Sequence, residues 1–334
     1  MGDRRQQKWR KLALPLAFII TWGLYLGAAA RPAQAVPQGG YAHPEVLIQA
    51  EELKALMDQK APPIRILDVR HKAKYYLGHI PGAVQVWRPE MEDKKNPLPG
   101  MPAQAVQMEK LLSRLGITNR DTLILYSDQF DHTRLWWLLA YYGFPLNRMK
   151  LLDGGLEAWK AKGYPTQLTS PQVARSPFKL PASAQMKSLA ATLDEVKGAV
   201  SEQSKVILDD RSQRQYLGEE REEGAARPGR IPGSVWVEWK EALVAEGPFK
   251  GYFKSAEEIT KIYAARGVTS DKDIYLYSNL GQPSTHSLVS LYLAGFPLEK
   301  LHLYTGSWTE WSRSKEPIKT GPPGAVKGTE PRRK

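Results

Sequence analysis

A chain of 334 residues, 42% hydrophobic and 25% charged, has room for about two domains with substantial apolar cores. It contains no cysteine, which excludes disulfides, thiolate metal sites, iron–sulfur clusters and any persulfide carrier. The formal net charge of +12 gathers partly at the ends, in Arg4, Arg5, Lys8, Arg10, Lys11 and Arg31 and again in Lys327, Arg332, Arg333 and Lys334. No basic stripe is interleaved with aromatics, so the excess reads as solubility charge and not as a nucleic-acid footprint. The histidines show neither HxxxH nor HExxH spacing, so no metal site and no cofactor is expected.

In chain order, the basic run RRQQKWRK precedes an uncharged apolar stretch, Leu12 to Ala30, and then Ala33-Gln34-Ala35. This is the pattern of a signal peptide cut before Val36. The same stretch just reaches the length of a membrane anchor, and positive charge on its N-terminal side fits either outcome. Residues 1–35 are therefore expected to be a leader or an anchor. Both place the body outside the cytoplasm, periplasmic or secreted, or tethered through residues 12–30.

The first structured copy is expected over 43–165. IRIL from Ile64 is a short apolar strand ending in Asp68. LILY from Leu123 is a buried strand leading through SDQFDH into the apolar helix RLWWLLAYYG. MKLLDGG closes on glycines before a helix carrying Trp159. A Pro/Ser/Thr-rich stretch, 166–190, reads as a linker. The pattern then repeats over 191–315: VIL from Val206 ends in Asp209 and Asp210, IYLY from Ile274 leads through SNLGQP into HSLVSLYLAG, and LHLYTGS precedes Trp308 and Trp311. Duplication explains the repeat. The Pro/Gly-rich basic end, 316–334, is expected to be a flexible tail.

Short, wholly apolar strands alternating with helices predict an α/β fold: two tandem domains, each a small parallel sheet with helices on both faces. Ligands of such sheets bind at the carboxyl ends of the strands. The loops opened by Ser127 and Ser278 lie at that edge.

Several motifs, in order, resemble the rhodanese superfamily in its tandem form, like thiosulfate and 3-mercaptopyruvate sulfurtransferases. They are Asp68-Val69-Arg70 with Gly78-His79-Ile80-Pro81-Gly82-Ala83, Asp210-Arg211 with Ile231-Pro232-Gly233-Ser234, Thr133-Arg134-Leu135-Trp136-Trp137, Asp153-Gly154-Gly155 with Trp159, and Gly306-Ser307-Trp308. The resemblance implies a catalytic cysteine after the fourth strand of the second domain, carrying sulfur as a persulfide, and a first domain that is usually inert. Ser278 stands at the cysteine position and Ser127 at its equivalent in the first copy. Pro283 replaces a common basic residue, Arg230 a histidine, and Thr305 a common aspartate. Arg211 matches a family arginine that holds the carboxylate of mercaptopyruvate, or is a strand-end arginine ion-paired beside Asp209 and Asp210, and Arg214 lies one position from a second.

A serine hydroxyl is a hard, poorly ionised nucleophile that needs an adjacent base, whereas a thiol with a pKa of about 8.5 ionises readily beside helix N-termini. No confident catalytic residue follows. His286 is expected in the first turns of the helix after Ser278, but no GxSxG elbow accompanies it. In the first loop, Asp128 and Asp131 are expected to repel anions, Arg134 to pack internally, and the six residues between Ser127 and Arg134 miss the spacing of the related dual-specificity phosphatases. His79 and the IPG turns, with Trp136, Trp137, Trp159, Trp308 and Trp311, read as structural. The ligand-binding candidates are Arg211, Arg214, Ser278, Gly281 and Ser284. The expected function is an exported module of the sulfurtransferase lineage without ordinary sulfurtransferase activity, binding a small anion or sulfur species or a protein partner. Two alternatives stand beside it: an enzyme with altered, cysteine-independent chemistry at the Ser278 loop, and a purely structural subunit. Membrane contact is expected only through an uncleaved N-terminal segment.

Overall fold

A computed structural model describes residues 39–59, 63–181 and 185–323, so the leader expected at 1–35 and the last part of the tail lie outside the described residues. Among the described residues no helix is long and apolar enough to cross a membrane.

The first copy runs β1 (Leu47–Ile48), α1 (Ala50–Gln59), β2 (Ile64–Asp68), α2 (Lys72–Tyr76), β3 (Val84–Gln85), α3 (Ala105–Arg114), β4 (Thr122–Tyr126), α4 (Asp131–Tyr141), β5 (Met149–Leu152) and α5 (Gly155–Ala161). The second repeats it as β6 (Ala190–Ala191), α6 (Leu193–Ala199), β7 (Lys205–Asp209), α7 (Gln213–Leu217), β8 (Val235–Trp236), α8 (Ala256–Ala264), β9 (Asp273–Tyr277), α9 (Ser284–Leu293), β10 (Leu301–Tyr304) and α10 (Ser307–Arg313). The sheets have the orders β1-β5-β4-β2-β3 and β6-β10-β9-β7-β8, and every strand pair is parallel. The central strands β4 and β9 carry the apolar runs read from the sequence. Leu123, Ile124, Leu125 and Tyr126 are all buried, as a strand covered on both faces must be. Reciprocal caps start several helices, as where the Ser255 and Glu258 side chains each bond the other's backbone N–H at the head of α8.

Each sheet has one private face and one shared face. Ile66, Ile124 and Trp159 pack behind the first sheet, and Ile207, Tyr277, Trp308 and Trp311 behind the second. The other faces join in one cluster holding Trp136, Trp137 and Leu139 together with Leu288, Val289 and Leu291. Helices α4 and α9 lie at its centre, so α9 is buried on every side and α4 nearly so, which is why both read as apolar all round. Fully burying each large side chain contributes on the order of 1.5–3 kcal/mol. The two copies therefore share a core instead of meeting at a hinge.

Polar contacts reinforce this seam. Asp153, at the end of β5, accepts the N–H of Phe253 at 3.0 Å, and burial raises its carboxyl to about 6. The stretch expected to connect the copies lies along both: Gln167 pairs with His79, Phe178 stacks on Phe144, and Ala190 already belongs to β6. After α10 the chain returns along the second copy, where Lys319 pairs with Arg230 and the Gly321 carbonyl accepts from Arg230 at 2.7 Å.

Candidate functional site

The two copies build the same frame at their strand ends. Asp68 closes β2, and its carboxylate accepts Arg70 Nε at 2.9 Å and the Tyr126 hydroxyl at 2.7 Å. Asp209 closes β7 and accepts Arg211 Nε at 2.9 Å and the Tyr277 hydroxyl at 2.5 Å. Each arginine also donates to the loop ahead of its IPG turn, Arg70 to the Gly78 carbonyl and Arg211 to that of Gly229. A buried carboxylate left without such partners is costly, so these contacts fix the arginines. Arg211, expected either to hold a ligand carboxylate or to be ion-paired, is buried, paired with Asp209 and packed over the Trp308 ring at 4.6 Å. Arg214 lies at the surface, 3.8 Å from Glu220.

The turn residues His79 and Arg230 do matching structural work. His79 stacks on Tyr75 at 3.8 Å and bonds the Tyr75 carbonyl through Nδ1. Arg230 lies over the Tyr216 ring at 4.4 Å and donates to the Tyr216 carbonyl at 3.2 Å.

The second-copy loop is closed. Ser278 has no exposed surface, and its Oγ is buried without a hydrogen-bond partner. The Trp308 N–H donates to the Ser278 carbonyl at 2.9 Å and the Thr309 N–H to the Asn279 carbonyl at 3.1 Å, tying the loop to the start of α10. Gly281 turns with φ +72° against Ser307 and the carbonyls of Tyr304 and Thr305, where a Cβ would find neighbours at 3.3–3.5 Å. From the first copy, Gly100 sits so close to Leu280 that a Cβ on it would meet the Leu280 Cβ at 2.8 Å. Gln282, also buried, donates to Glu92 at 2.7 Å. Ser284 opens α9, its Oγ buried and unpartnered. Of the expected ligand set, the structure thus brings Ser278, Gly281 and Ser284 into one loop beneath cover and leaves Arg211 and Arg214 elsewhere.

The first-copy loop borders a cavity. Ser127 follows β4 and lines a cavity of about 780 Å³. One wall is the Gly154-Gly155 turn and α5; the opposite wall is the second copy's 243–253 segment. Gly155, at φ +57°, lies against the Ser127 carbonyl, where a Cβ would stand 2.6 Å from the oxygen, so this wall requires glycine.

Ser127 Oγ is 2.8 Å from His132 Nδ1 and accepts the N–H groups of Gln129 at 3.3 Å and His132 at 3.4 Å. In the tautomer that carries its ring proton on Nε2, Nδ1 accepts the hydroxyl hydrogen of Ser127. Burial lowers His132 to about 4, so the imidazole is neutral. His286 also lines this cavity. Its ring stacks on Phe253 at 4.8 Å and its Nδ1 lies 3.4 Å from Ser290 Oγ. Burial, with His132 nearby, lowers it to about 3. The base that the sequence offered to Ser278 therefore belongs to the first-copy cavity.

The carboxylates expected to repel anions here are neutralised. Asp128 pairs with Lys74, and Asp131 accepts both Arg88 Nε at 2.5 Å and Arg88 Nη2 at 2.8 Å. Arg134 is buried, as expected, donating to the Gly100 carbonyl at 2.9 Å and lying 4.8 Å over the Trp137 ring. Sequence reasoning missed the Ser127–His132 pair. Its signal was a histidine five positions after the loop serine, at the start of a helix.

Two parallel five-stranded sheets, each with a loop after its central strand that opens on serine, define a tandem rhodanese-like architecture. The chain belongs to the rhodanese-like family: the profile described as Rhodanese-like domain matches residues 49–162 and 192–314. It is 35% identical over 288 residues to the sulfur carrier protein TtuD of Thermus thermophilus, spanning 81% of this chain and 95% of that one. It is 33% identical over 289 residues to putative thiosulfate sulfurtransferase 1 of Mycobacterium bovis, spanning 83% and 98%. Among solved structures, a complex of EanB with ergothioneine superimposes with a TM-score of 0.73 at 21% identity, covering 84% of this chain and 71% of that chain. The anaerobic ergothioneine biosynthesis enzyme of Chlorobium limicola, bound to trimethyl histidine, superimposes at 0.72, also at 21% identity, over 85% of this chain and 72% of that chain. These structural likenesses concern the fold.

Proposed function

We propose that this protein is a tandem rhodanese that has left persulfide chemistry and binds a small sulfur species or anion without forming a covalent sulfur intermediate. The observation that carries the reading is serine at the head of both loops in a chain without cysteine. No side chain here can hold a sulfane sulfur as a persulfide. Two further points support it. Ser278 is covered, which argues against altered chemistry at that loop. The first-copy cavity has the size of a small-molecule site, and Lys250 on its wall, in no ion pair among the described residues, favours an anion, whereas Arg70, Lys74 and Lys160 are paired with Asp68, Asp128 and Glu157. The names of relatives point to the same ligand class: one is a sulfur carrier protein and others are putative thiosulfate sulfurtransferases. A protein partner that delivers or receives the ligand is compatible with this role. The protein acts outside the cytoplasm, led there by residues 1–35.

The test is an assay of the purified full chain with thiosulfate or 3-mercaptopyruvate and cyanide, run beside calorimetric titration with thiosulfate. Saturable heat without thiocyanate production is expected. Thiocyanate formation that disappears in Ser278→Ala would overturn the reading. Fractionation of cells carrying the tagged chain tests location, and recovery in the cytoplasm would remove that part.

A further inference from the structure

We propose that Ser127 and His132 form a nucleophile–base pair that accepts the acyl group of a small carboxylic ester or thioester bound in the first-copy cavity. This goes beyond sulfur-species binding and shares only the cavity with it.

The argument begins with the oxygen. Ser127 Oγ is the one group on which the loop converges: His132 Nδ1 at 2.8 Å and the N–H groups of Gln129 and His132 at 3.3 and 3.4 Å. A serine becomes a nucleophile when a neutral base takes its proton, and in the tautomer protonated on Nε2 a neutral Nδ1 already accepts that hydrogen bond. The His132 N–H lies in the first turn of α4, an eleven-residue helix, and the Gln129 N–H in the loop before it; both meet Oγ itself and hold the nucleophile in place. Ser127 and His132 both line the cavity, Ser127 keeping 7% of its surface exposed, whereas Ser278 in the second copy is wholly buried.

The cavity defines the substrate class. Leu152, Leu156, Leu243, Tyr252 and Phe253 give it apolar walls for an acyl group, and Lys250 offers charge to an acidic leaving portion. In the first step Oγ bonds to the carbonyl carbon, its proton passes to His132 Nδ1, and the carbonyl electron pair moves onto oxygen. Collapse breaks the bond to the leaving alcohol or thiol, which departs with the proton from Nδ1. Water then attacks the Ser127 ester and gives a proton to Nδ1. When that intermediate collapses, the proton returns to Oγ and the carboxylic acid leaves. Among the described residues no carboxylate is hydrogen-bonded to His132 Nε2, so the pair is a dyad, and an activated ester is the appropriate probe.

The experiment treats the full chain with p-nitrophenyl acetate, quenches it, and maps acetylation by peptide mass spectrometry, with a fluorophosphonate as second probe. Both labels are expected on Ser127. His132→Asn keeps an acceptor of similar reach but no base, and is expected to slow labelling about a hundredfold or more. Ser127→Ala is expected to abolish it. Absence of label from Ser127 in the unmodified chain, or an equal labelling rate in His132→Asn, overturns the proposal. Thiosulfate titration of the same sample reports on ligand binding separately, so the two ideas fail independently.

Discussion

Thr133 Oγ1 and Thr285 Oγ1 lie 3.0 Å apart in the seam between α4 and α9. Each is also 2.7 Å from a carbonyl three residues upstream, that of Phe130 or Gln282. Three contacts share two hydroxyl hydrogens, so one contact always lacks its proton. Replacing one hydroxyl by a methyl frees the other to bond its carbonyl. Thr133→Val and Thr285→Val should therefore each cost about 1 kcal/mol or less. Each single variant then loses one of two hydrogen bonds and the double variant loses both, so a double-mutant cycle read by urea denaturation should be additive within about 0.5 kcal/mol. A double variant clearly cheaper than the sum would mean that the remaining threonine does not turn to its carbonyl.

The Asp209–Arg211 pair makes a sharper prediction. Arg211→Met leaves a fully buried carboxylate facing mainly the Tyr277 hydroxyl and the Arg211 backbone N–H. The expected loss is about 3–5 kcal/mol, seen as a lowered urea midpoint. Adding Asp209→Asn should recover part of it, because the orphaned charge is gone. If Arg211→Met kept full stability while weakening thiosulfate binding, the arginine would be a ligand group after all.

The fold was legible because its signals are local and repeated. Short apolar strands such as LILY and IYLY, each followed by an apolar helix, specify a covered parallel sheet without tertiary information. The site was less legible because it depends on which loop is covered. Nothing in SNLGQP states that Leu280 meets Gly100 or that Gln282 reaches Glu92, since both partners lie far back in the first copy. Reading Asp128 and Asp131 as repulsive failed for the same reason: Lys74 and Arg88 reach them from other loops. His286 was correctly placed in the first turns of its helix, but its ring turns to Phe253 and the other copy's cavity.

Different cover over matching loops predicts different reactivity. In Ser127→Cys the thiol belongs to a residue of the cavity wall and lies beside two N–H groups, an environment that favours thiolate. In Ser278→Cys it is enclosed. Iodoacetamide should alkylate the first variant at least about tenfold faster than the second, at a rate read by mass spectrometry. Ser278→Cys alone should fail to restore thiosulfate turnover. Adding Leu280→Gly removes the side chain pressed against Gly100 and should raise alkylation at position 278. Equal rates in the two single variants would show that the second loop opens freely in solution.

Asp210 gives the fold a pH dependence of definite sign. Among the described residues its buried carboxylate oxygens make no hydrogen bond of normal geometry, although the Ser284 and Ser287 hydroxyls stand near. Burial holds its pKa well above the ordinary value, against the pull of the Ser287 and Ser284 hydroxyls and with added repulsion from Asp209. Tyr263 also approaches it. A carboxyl whose folded pKa is raised costs nothing while both states are protonated. Its penalty appears above the unfolded value of 3.8 and grows until the folded group ionises. His132 and His286, lowered to about 4 and about 3, act in the opposite sense: they withdraw stability as pH falls below 6.5. Comparing Asp210→Asn with the unmodified chain at each pH cancels the histidines. The variant should match the parent near pH 4 and exceed it by on the order of 1–3 kcal/mol near pH 8, measured by urea unfolding at both. An equal loss at both pH values would instead mean that the Asp210 carboxylate is ionised and held by Ser284 and Ser287.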